Sequence, residues 1–288
     1  HRLIEHVLAG KVHGLFVLGT TGEGPAIDAR QQKEVVGGVC KFVDKRVPVL
    51  VGITHSSFQE SVHIANYAAE QGADAVVVAP PPYFGSKPAD LIEMLEGLTA
   101  EVELPVILYN IPSNSNVAID WQTVKAASEL DGVVGFKDSS GEMVQFHKVR
   151  QATAAVDQFT VMVGPEELLA ESVLMGADGA IPGGANLFPH LYRQLYDACN
   201  EQRLDDVYRL HGAVIRISQL LYEIDDSSMR IIRVLKACLA RMGVCGDRLA
   251  APFGGLSVEA QALLERRLEQ VEEIVKSALS GINLVTTR

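Results

Sequence analysis

Lys137 is the residue whose type and position point most directly to chemistry. It follows the short apolar run 133–136, which we predict to be a buried strand. Such a strand carries the amine toward an apolar site, where desolvation disfavours the charged form and lowers the pKa of the lysine. A neutral lysine amine is a nucleophile that forms Schiff bases with ketones. A solvated lysine at a strand end is the alternative interpretation, and position alone leaves both open.

Hydroxyl groups that could assist such an amine follow two other apolar runs. Tyr109 ends the run 106–108, and its phenol could carry protons as a carbinolamine forms and collapses. Thr20 and Thr21 lie in a glycine-rich loop after the run 14–18, where hydroxyl and backbone N–H donors suit a small carboxylate. A tyrosine packed in a strand and an ordinary turn are the alternative interpretations of these segments.

The charge and the hydropathy of the chain limit the classes of partner that it can bind. The formal net charge of −11 disfavours binding to nucleic acid and to anionic membranes, because both attract basic patches. An anionic substrate would therefore have to be held by local donors. No apolar run in the sequence reaches the roughly 20 residues that a membrane span needs. We expect a small-molecule substrate and no nucleic-acid or membrane partner.

No group of side chains has the sequence pattern of a metal site, a disulfide framework or a catalytic carboxylate pair. The four cysteines form no C-x-x-C pair, and the eight histidines show no H-E-x-x-H motif. We therefore expect no metal centre and a reduced, cytoplasmic protein. Asp138 and Glu142 are predicted to be capping or solvent-facing residues near the start of a helix, with no part in catalysis.

The elements that must position these residues repeat as a short apolar strand followed by an amphipathic helix. After about residue 189 the strands stop and helical patterns continue alone. Strands are predicted over 14–18, 47–53, 75–79, 106–109, 133–136, 160–163 and 179–181. Helices are predicted over 2–9, 29–43, 59–71, 89–100, 120–129 (with Asp120 as N-cap), 142–155, 166–175, 191–201, 204–224, 229–242 and 258–279.

This alternation predicts an α/β fold, a (β/α)8 TIM barrel with a C-terminal helical extension. A closed barrel has eight strands and the sequence supplies seven, so we expect the first strand to lie upstream of His1 and to be missing from this sequence. We assign residues 1–189 to the barrel and 190–288 to its last helix and the extension. An open doubly wound sheet is the alternative, but the first predicted strand lacks a G-x-G-x-x-G motif. In a barrel the active site lies at the carboxyl ends of the strands, where the lysine, the tyrosine and the threonines stand.

Four motifs at these strand ends resemble those of one enzyme family. In order along the chain they are Gly19-Thr20-Thr21-Gly22-Glu23, Tyr109-Asn110-Ile111-Pro112-Ser113, Gly135-Phe136-Lys137-Asp138 and Gly179-Ala180-Ile181. The chain resembles the family of dihydrodipicolinate synthase and N-acetylneuraminate lyase, the class I pyruvate-dependent aldolases. The resemblance implies a β/α barrel and a lyase that needs no cofactor.

The resemblance also implies roles for particular residues. Lys137 would form the Schiff base with pyruvate, and Tyr109 would shuttle protons. Thr20 and Thr21 would bind the carboxylate of pyruvate, and the backbone near Ile181 would line the site.

Tyr83 matches the family tyrosine that reaches into the site of a neighbouring subunit, where it completes a relay with Thr20 and Tyr109. The resemblance therefore implies a homodimer or a homotetramer.

One substrate-binding position departs from the pattern of the synthases. Two residues after Pro112 they carry an arginine that binds the carboxylate of the second substrate, and this chain has Asn114. An amide cannot supply a charged bidentate clamp. We therefore expect pyruvate chemistry with a different aldehyde, by retro-aldol cleavage or condensation. Dihydrodipicolinate synthase activity and a non-catalytic 2-oxo acid binding protein are the alternatives.

Overall fold

Seven parallel strands form the sheet in the part of the chain that this computed structural model describes, residues 1–280. The strands neighbour one another in chain order, so each connection is a crossover to the next parallel strand. They are β1 (Leu15–Val17), β2 (Val49–Gly52), β3 (Ala75–Val78), β4 (Val106–Asn110), β5 (Val133–Asp138), β6 (Thr160–Val163) and β7 (Gly179–Ala180). This sequential order is that of a TIM-barrel-like α/β fold and confirms the predicted class.

Helices cross from each strand to the next and continue after the last one. They are α1 (Arg2–Ala9), α2 (Ala29–Val43), α3 (Phe58–Glu70), α4 (Pro88–Glu101), α5 (Pro112–Ser115), α6 (Trp121–Ala127), α7 (Met143–Thr153), α8 (Leu169–Leu174), α9 (Pro189–Asn200), α10 (Leu204–Tyr222), α11 (Arg230–Arg241) and α12 (Val258–Leu279). The predicted N-cap is confirmed, because the Asp120 side chain accepts from the Thr123 N–H at 2.7 Å.

Three local features differ from the sequence-based expectations. Strand β5 extends through Asp138, so Lys137 lies inside the strand rather than just beyond it. The single-turn helix α5 was not predicted, since four residues are too few to show helical periodicity. The helix predicted over 166–175 divides into a 3-10 turn, Glu166–Leu168, and α8.

One face of the sheet carries a buried apolar cluster that surrounds Tyr109. Alternation along β3 and β4 sends Ala75, Val77 and Ile107 to the same side as the tyrosine ring. Phe16 from β1 and Met162 from β6 pack against this cluster and are partly buried. The tyrosine therefore lies in an apolar setting built from several strands.

Residue 1 and residues 13–182 form one compact unit, which contains the whole sheet. The second unit comprises residues 2–12 together with the chain from residue 183 onward. Within it α1 lies against α9, and the His6 ring nitrogen Nε2 is 3.1 Å from the Leu187 carbonyl oxygen. No helix within residues 1–280 combines the length and the apolar character needed to cross a membrane. Residues 281–288 of the predicted extension lie outside the described residues.

Candidate active site

Lys137 and Tyr109 occupy adjacent positions on neighbouring strands. Their Cα atoms are register partners between β4 and β5, and side chains of register partners point to the same face of a sheet. The lysine nitrogen Nζ lies 3.7 Å from the centroid of the tyrosine ring and 5.6 Å from that of Phe16. The lysine is 4% exposed and the tyrosine 6%. The sheet thus brings together two of the residues that the sequence singled out.

Burial determines the acid–base state of Lys137. Desolvation disfavours the ammonium form and lowers the pKa of the lysine, although the nearby Tyr109 and Asp138 oppose this shift. A lowered pKa increases the fraction of free amine at neutral pH, and only the free amine attacks a carbonyl. The lysine is therefore not solvated, and its lowered pKa is the direction that a nucleophilic amine requires.

Tyr109 receives hydrogen bonds that favour its ionised form. Burial alone raises the pKa of the phenol, but the charge of Lys137 and hydrogen bonds from Lys137, Ser139 and Thr20 outweigh it, so the pKa is lowered. Thr20, predicted from its glycine loop, is therefore placed at the tyrosine hydroxyl. A phenol whose pKa is brought toward neutrality is a better proton carrier.

Ser139 is a site residue that the sequence analysis missed. Its hydroxyl oxygen lies 3.4 Å from Lys137 Nζ and 3.4 Å from the Tyr109 hydroxyl oxygen. Both contacts are long, and they place the serine between the amine and the phenol. Its position two residues after the lysine on an extended segment was the available signal, because residues i and i+2 share a face.

Gly164 makes room for this arrangement at the end of β6. A Cβ atom there would lie 1.9 Å from the Ser139 hydroxyl oxygen and 3.3 Å from Lys137 Nζ. A side chain at this position would therefore displace the serine or the lysine. The glycine is required by packing.

The loop that holds Thr20 and Thr21 is tightly folded over the end of β1. Leu18 and Glu23 both adopt left-handed backbone conformations, with φ of 58° and 56°. A Cβ atom on Gly24 would lie 2.1 Å from the Leu18 carbonyl oxygen, so the turn can close only over a glycine. Strained backbone of this kind concentrates at functional sites. Both threonines are half-buried.

Three other predicted residues have contacts of their own. The Ile181 N–H donates to the Val163 carbonyl at 2.8 Å and so continues the sheet. Asn114 is exposed on α5 and its side-chain oxygen accepts from the Ser113 hydroxyl at 2.8 Å. Tyr83 is 80% exposed. Among the described residues, no hydrogen bond joins Tyr83 or Asn114 to Lys137.

Asp138 is not solvent-facing, as the sequence analysis predicted, but 4% exposed. It follows Lys137 on β5, and its Oδ1 accepts from the Asn110 side-chain amide at 2.9 Å. The same oxygen accepts from the Ser140 N–H at 2.9 Å, so the carboxylate does cap the turn after the strand. Of the two predicted roles, capping is therefore confirmed and solvent exposure is wrong, because β5 runs two residues further than its apolar stretch.

Comparisons with known proteins agree with this fold. The sequence model described as the Dihydrodipicolinate synthetase family matches residues 1–271. Among curated proteins, the chain is 29% identical to a 4-hydroxy-tetrahydrodipicolinate synthase of Magnetococcus marinus, over 93% of this chain and 89% of that protein. It is 30% identical to an Escherichia coli protein whose provisional name is 2-dehydro-3-deoxy-D-gluconate aldolase YagE, over 94% of this chain and 89% of that protein.

Solved structures give the same result. A dihydrodipicolinate synthase from Bacteroides thetaiotaomicron matches with a TM-score of 0.90 and 42% identity, over 93% of this chain and 90% of that chain. YagE, solved in complex with pyruvate, matches with a TM-score of 0.88 and 28% identity, over 94% of this chain and 90% of that chain.

Proposed function

The chain belongs to the dihydrodipicolinate synthetase family, and we propose that its Lys137 forms a Schiff base with pyruvate or a pyruvate-derived 2-oxo acid. The family places it among the pyruvate-dependent class I aldolases, which are carbon–carbon lyases. One observation carries the assignment of the residue. The lysine amine is almost fully buried, has a lowered pKa and contacts a tyrosine that can exchange protons with it.

The proposed reaction uses the groups around the amine in sequence. The Lys137 nitrogen attacks C2 of the ketone, Tyr109 supplies protons to the departing oxygen, and water leaves as the C=N bond forms. The protonated imine then accepts the electron pair of the C3–C4 bond as that bond breaks. The proton of the C4 hydroxyl passes to Tyr109 and an aldehyde leaves. Protonation of the enamine at C3 and hydrolysis release pyruvate, and condensation is the reverse.

Thr20 and Thr21 are the proposed binding groups for the carboxylate of the 2-oxo acid. They lie half-buried on the loop after β1, and Thr20 is among the groups that lower the pKa of Tyr109. Their hydroxyl and backbone N–H groups supply local donors, which an acidic chain needs in order to hold an anion. The backbone near Ile181 is proposed to complete the lining of the site.

The second substrate is proposed to be a neutral, hydroxylated aldehyde, as released from a 3-deoxy-2-oxo sugar acid. Asn114 stands where a charged clamp would serve an anionic aldehyde, and the neutral Ser139 hydroxyl lies beside the amine. Support also comes from the provisional name of YagE, which gives a 2-oxo sugar acid as its substrate. 4-Hydroxy-tetrahydrodipicolinate synthase activity is the second candidate, because relatives carry that name.

A substrate panel separates these functions. Pyruvate release from 2-dehydro-3-deoxy-D-gluconate and loss of aspartate semialdehyde in the presence of pyruvate are measured with the same preparation. We expect the value of kcat/KM to be higher for the sugar acid. A higher value for aspartate semialdehyde would establish the synthase instead. Pyruvate binding without turnover or covalent attachment would indicate a binding protein.

Assembly, barrel closure and location are further parts of the proposal. Tyr83 and Phe84 are 80% and 73% exposed, and a homodimer or homotetramer would cover them and bring Tyr83 to a partner's Thr20 and Tyr109. Full activity from a chain that sediments as a monomer would contradict this relay.

We also propose that the native fold is a closed (β/α)8 barrel and that the protein is cytoplasmic. The proposed residue boundaries remain 1–189 for the barrel and 190–288 for its last helix and the helical extension.

A further inference from the structure

A second pair of polar residues lies one position beyond the reactive pair. Asn110 and Asp138 are the next register partners of β4 and β5 after Tyr109 and Lys137. They are 1% and 4% exposed, and the Asn110 amide nitrogen donates to Asp138 Oδ1 at 2.9 Å. Successive side chains alternate between the faces of a sheet, so this pair lies behind the face that carries the amine and the phenol.

Asn110 and Asp138 also make hydrogen bonds to the segments that follow strands β4, β5 and β6. The Asn110 side-chain oxygen accepts from the Ile119 N–H at 3.1 Å, which closes the segment that contains Asn114. The Asn110 carbonyl accepts from the Ser139 N–H at 2.8 Å. Asp138 Oδ1 accepts from the Ser140 N–H, and its carbonyl accepts from the Gly164 N–H at 2.7 Å.

We propose that Asn110 and Asp138 are positioning residues that hold the Lys137 amine, the Tyr109 phenol and the Ser139 hydroxyl in their reactive arrangement. The pair fixes the ends of β4 and β5 relative to each other and fixes the turn that carries the serine. It touches no reacting atom. A buried amide–carboxylate pair is a poor source of stability, because desolvation of the charge offsets most of the gain. Its value here is geometric. This inference rests on the proposed function.

The carboxylate also has an electrostatic effect that a variant can separate from its hydrogen bonds. Both side-chain bonds are accepted by the same oxygen, Oδ1. Asp138→Asn keeps that oxygen and removes the charge, whereas Asp138→Ala removes both. Asp120→Ala is the matched control, because Asp120 Oδ1 also accepts two hydrogen bonds, from the N–H and the hydroxyl of Thr123, at the start of α6.

The experiment compares these three variants with the native chain in steady-state aldol cleavage and in spectroscopic titration. We expect Asp138→Ala to lower kcat at least about tenfold, and Asp138→Asn to keep kcat within about threefold. Because the Asp138 charge raises the pKa of Lys137, we expect Asp138→Asn to move the acid limb of the pH profile to lower pH. Asp120→Ala should lower the melting temperature and leave kcat unchanged.

Titration of the Tyr109 phenol tests the arrangement without any substrate. The ultraviolet difference between each chain and its Tyr109→Phe derivative isolates this one tyrosine. We expect its pKa to rise in Asp138→Ala, because the displaced Lys137 no longer favours the phenolate. An unchanged titration and an unchanged kcat in Asp138→Ala would overturn the positioning role. A native chain that neither turns over nor attaches pyruvate would refute the proposed function, while the titration still decides whether the pair holds the arrangement.

Discussion

The Nζ atom of Lys137 lies 3.7 Å from the centroid of the Tyr109 ring, and the two residues are register partners on β4 and β5. Burial lowers the pKa of the amine, and the charge of the amine helps to lower the pKa of the phenol. Each group therefore influences the proton affinity of the other. This coupling suits a reaction in which protons move as a C–N bond forms and breaks.

The lowered pKa of Lys137 predicts the pH dependence of pyruvate attachment. Below this pKa the amine is protonated and lacks its lone pair, so the rate falls about tenfold per pH unit. The rise should end below pH 10.5, the ordinary pKa of a lysine, and the rate should fall again where Tyr109 ionises and can no longer donate a proton. Single-turnover borohydride trapping across pH measures this curve. A rate that still climbs at pH 10.5 would be inconsistent with the buried amine.

Removal of the Tyr109 hydroxyl should affect turnover more than it affects the fold. Tyr109→Phe keeps the aromatic ring against the amine and deletes only the proton carrier. General acid–base catalysis contributes about 10² to 10⁴-fold, so we expect kcat to fall by that factor. The free energy of unfolding should change by no more than roughly 1 kcal/mol, the contribution of a typical hydrogen bond. Wild-type kcat would show that another group carries the proton.

The class and order of the elements could be predicted from sequence because short β-branched strands and amphipathic helices have different periods. Strands β3 and β6 were predicted to within one residue for this reason. The missed features depend on tertiary context. Strand β5 runs into Lys137 and Asp138 because ladder hydrogen bonds to β4 and β6 continue there, and the polar residue types conceal this. The lysine, tyrosine and Thr20 could be predicted because each stands at a strand end or in a loop beyond one.

Ser139 and Gly164 escaped prediction for a related reason. Each acts through a neighbour that is distant along the chain, and a single sequence contains no distances. The serine was in reach of an argument from strand alternation, but only once β5 was known to include the lysine. The glycine matters because a Cβ atom would meet Ser139, which only coordinates reveal.

Substitution of Gly164 should disturb the centre by steric overlap. In Gly164→Ala the new Cβ would meet the Ser139 hydroxyl oxygen at 1.9 Å and its Cβ at 3.0 Å. Overpacking of this kind costs about 1–3 kcal/mol of unfolding free energy, and the displaced serine should also lower kcat. Adding Ser139→Gly removes both overlapping atoms and should restore most of the stability in denaturant unfolding. Equal stability of Gly164→Ala and the native chain would contradict our inference that Ser139 leaves no room for a Cβ atom at position 164.

A charged clamp introduced on α5 should change the preference for the second substrate. Asn114 is exposed, so Asn114→Arg adds a guanidinium without burying it. A hydrogen bond to a charged group contributes about 1.5–3 kcal/mol, and we expect kcat/KM for aspartate semialdehyde to rise at least about tenfold. The control is Asn116→Arg, because Asn116 directly follows α5 and is also exposed. Equal gains in both variants would indicate general charge attraction instead of a specific contact.

Covalent capture of pyruvate tests directly whether Lys137 forms the Schiff base. The native chain and Lys137→Ala are each incubated with pyruvate and borohydride, and their intact masses are measured after confirmation that both are folded. We expect one reduced pyruvyl adduct on the native chain, mapped to the peptide that contains Lys137, and none on the variant. An equal adduct on Lys137→Ala, or none on a native chain that still cleaves a 2-oxo acid, would contradict this role of Lys137.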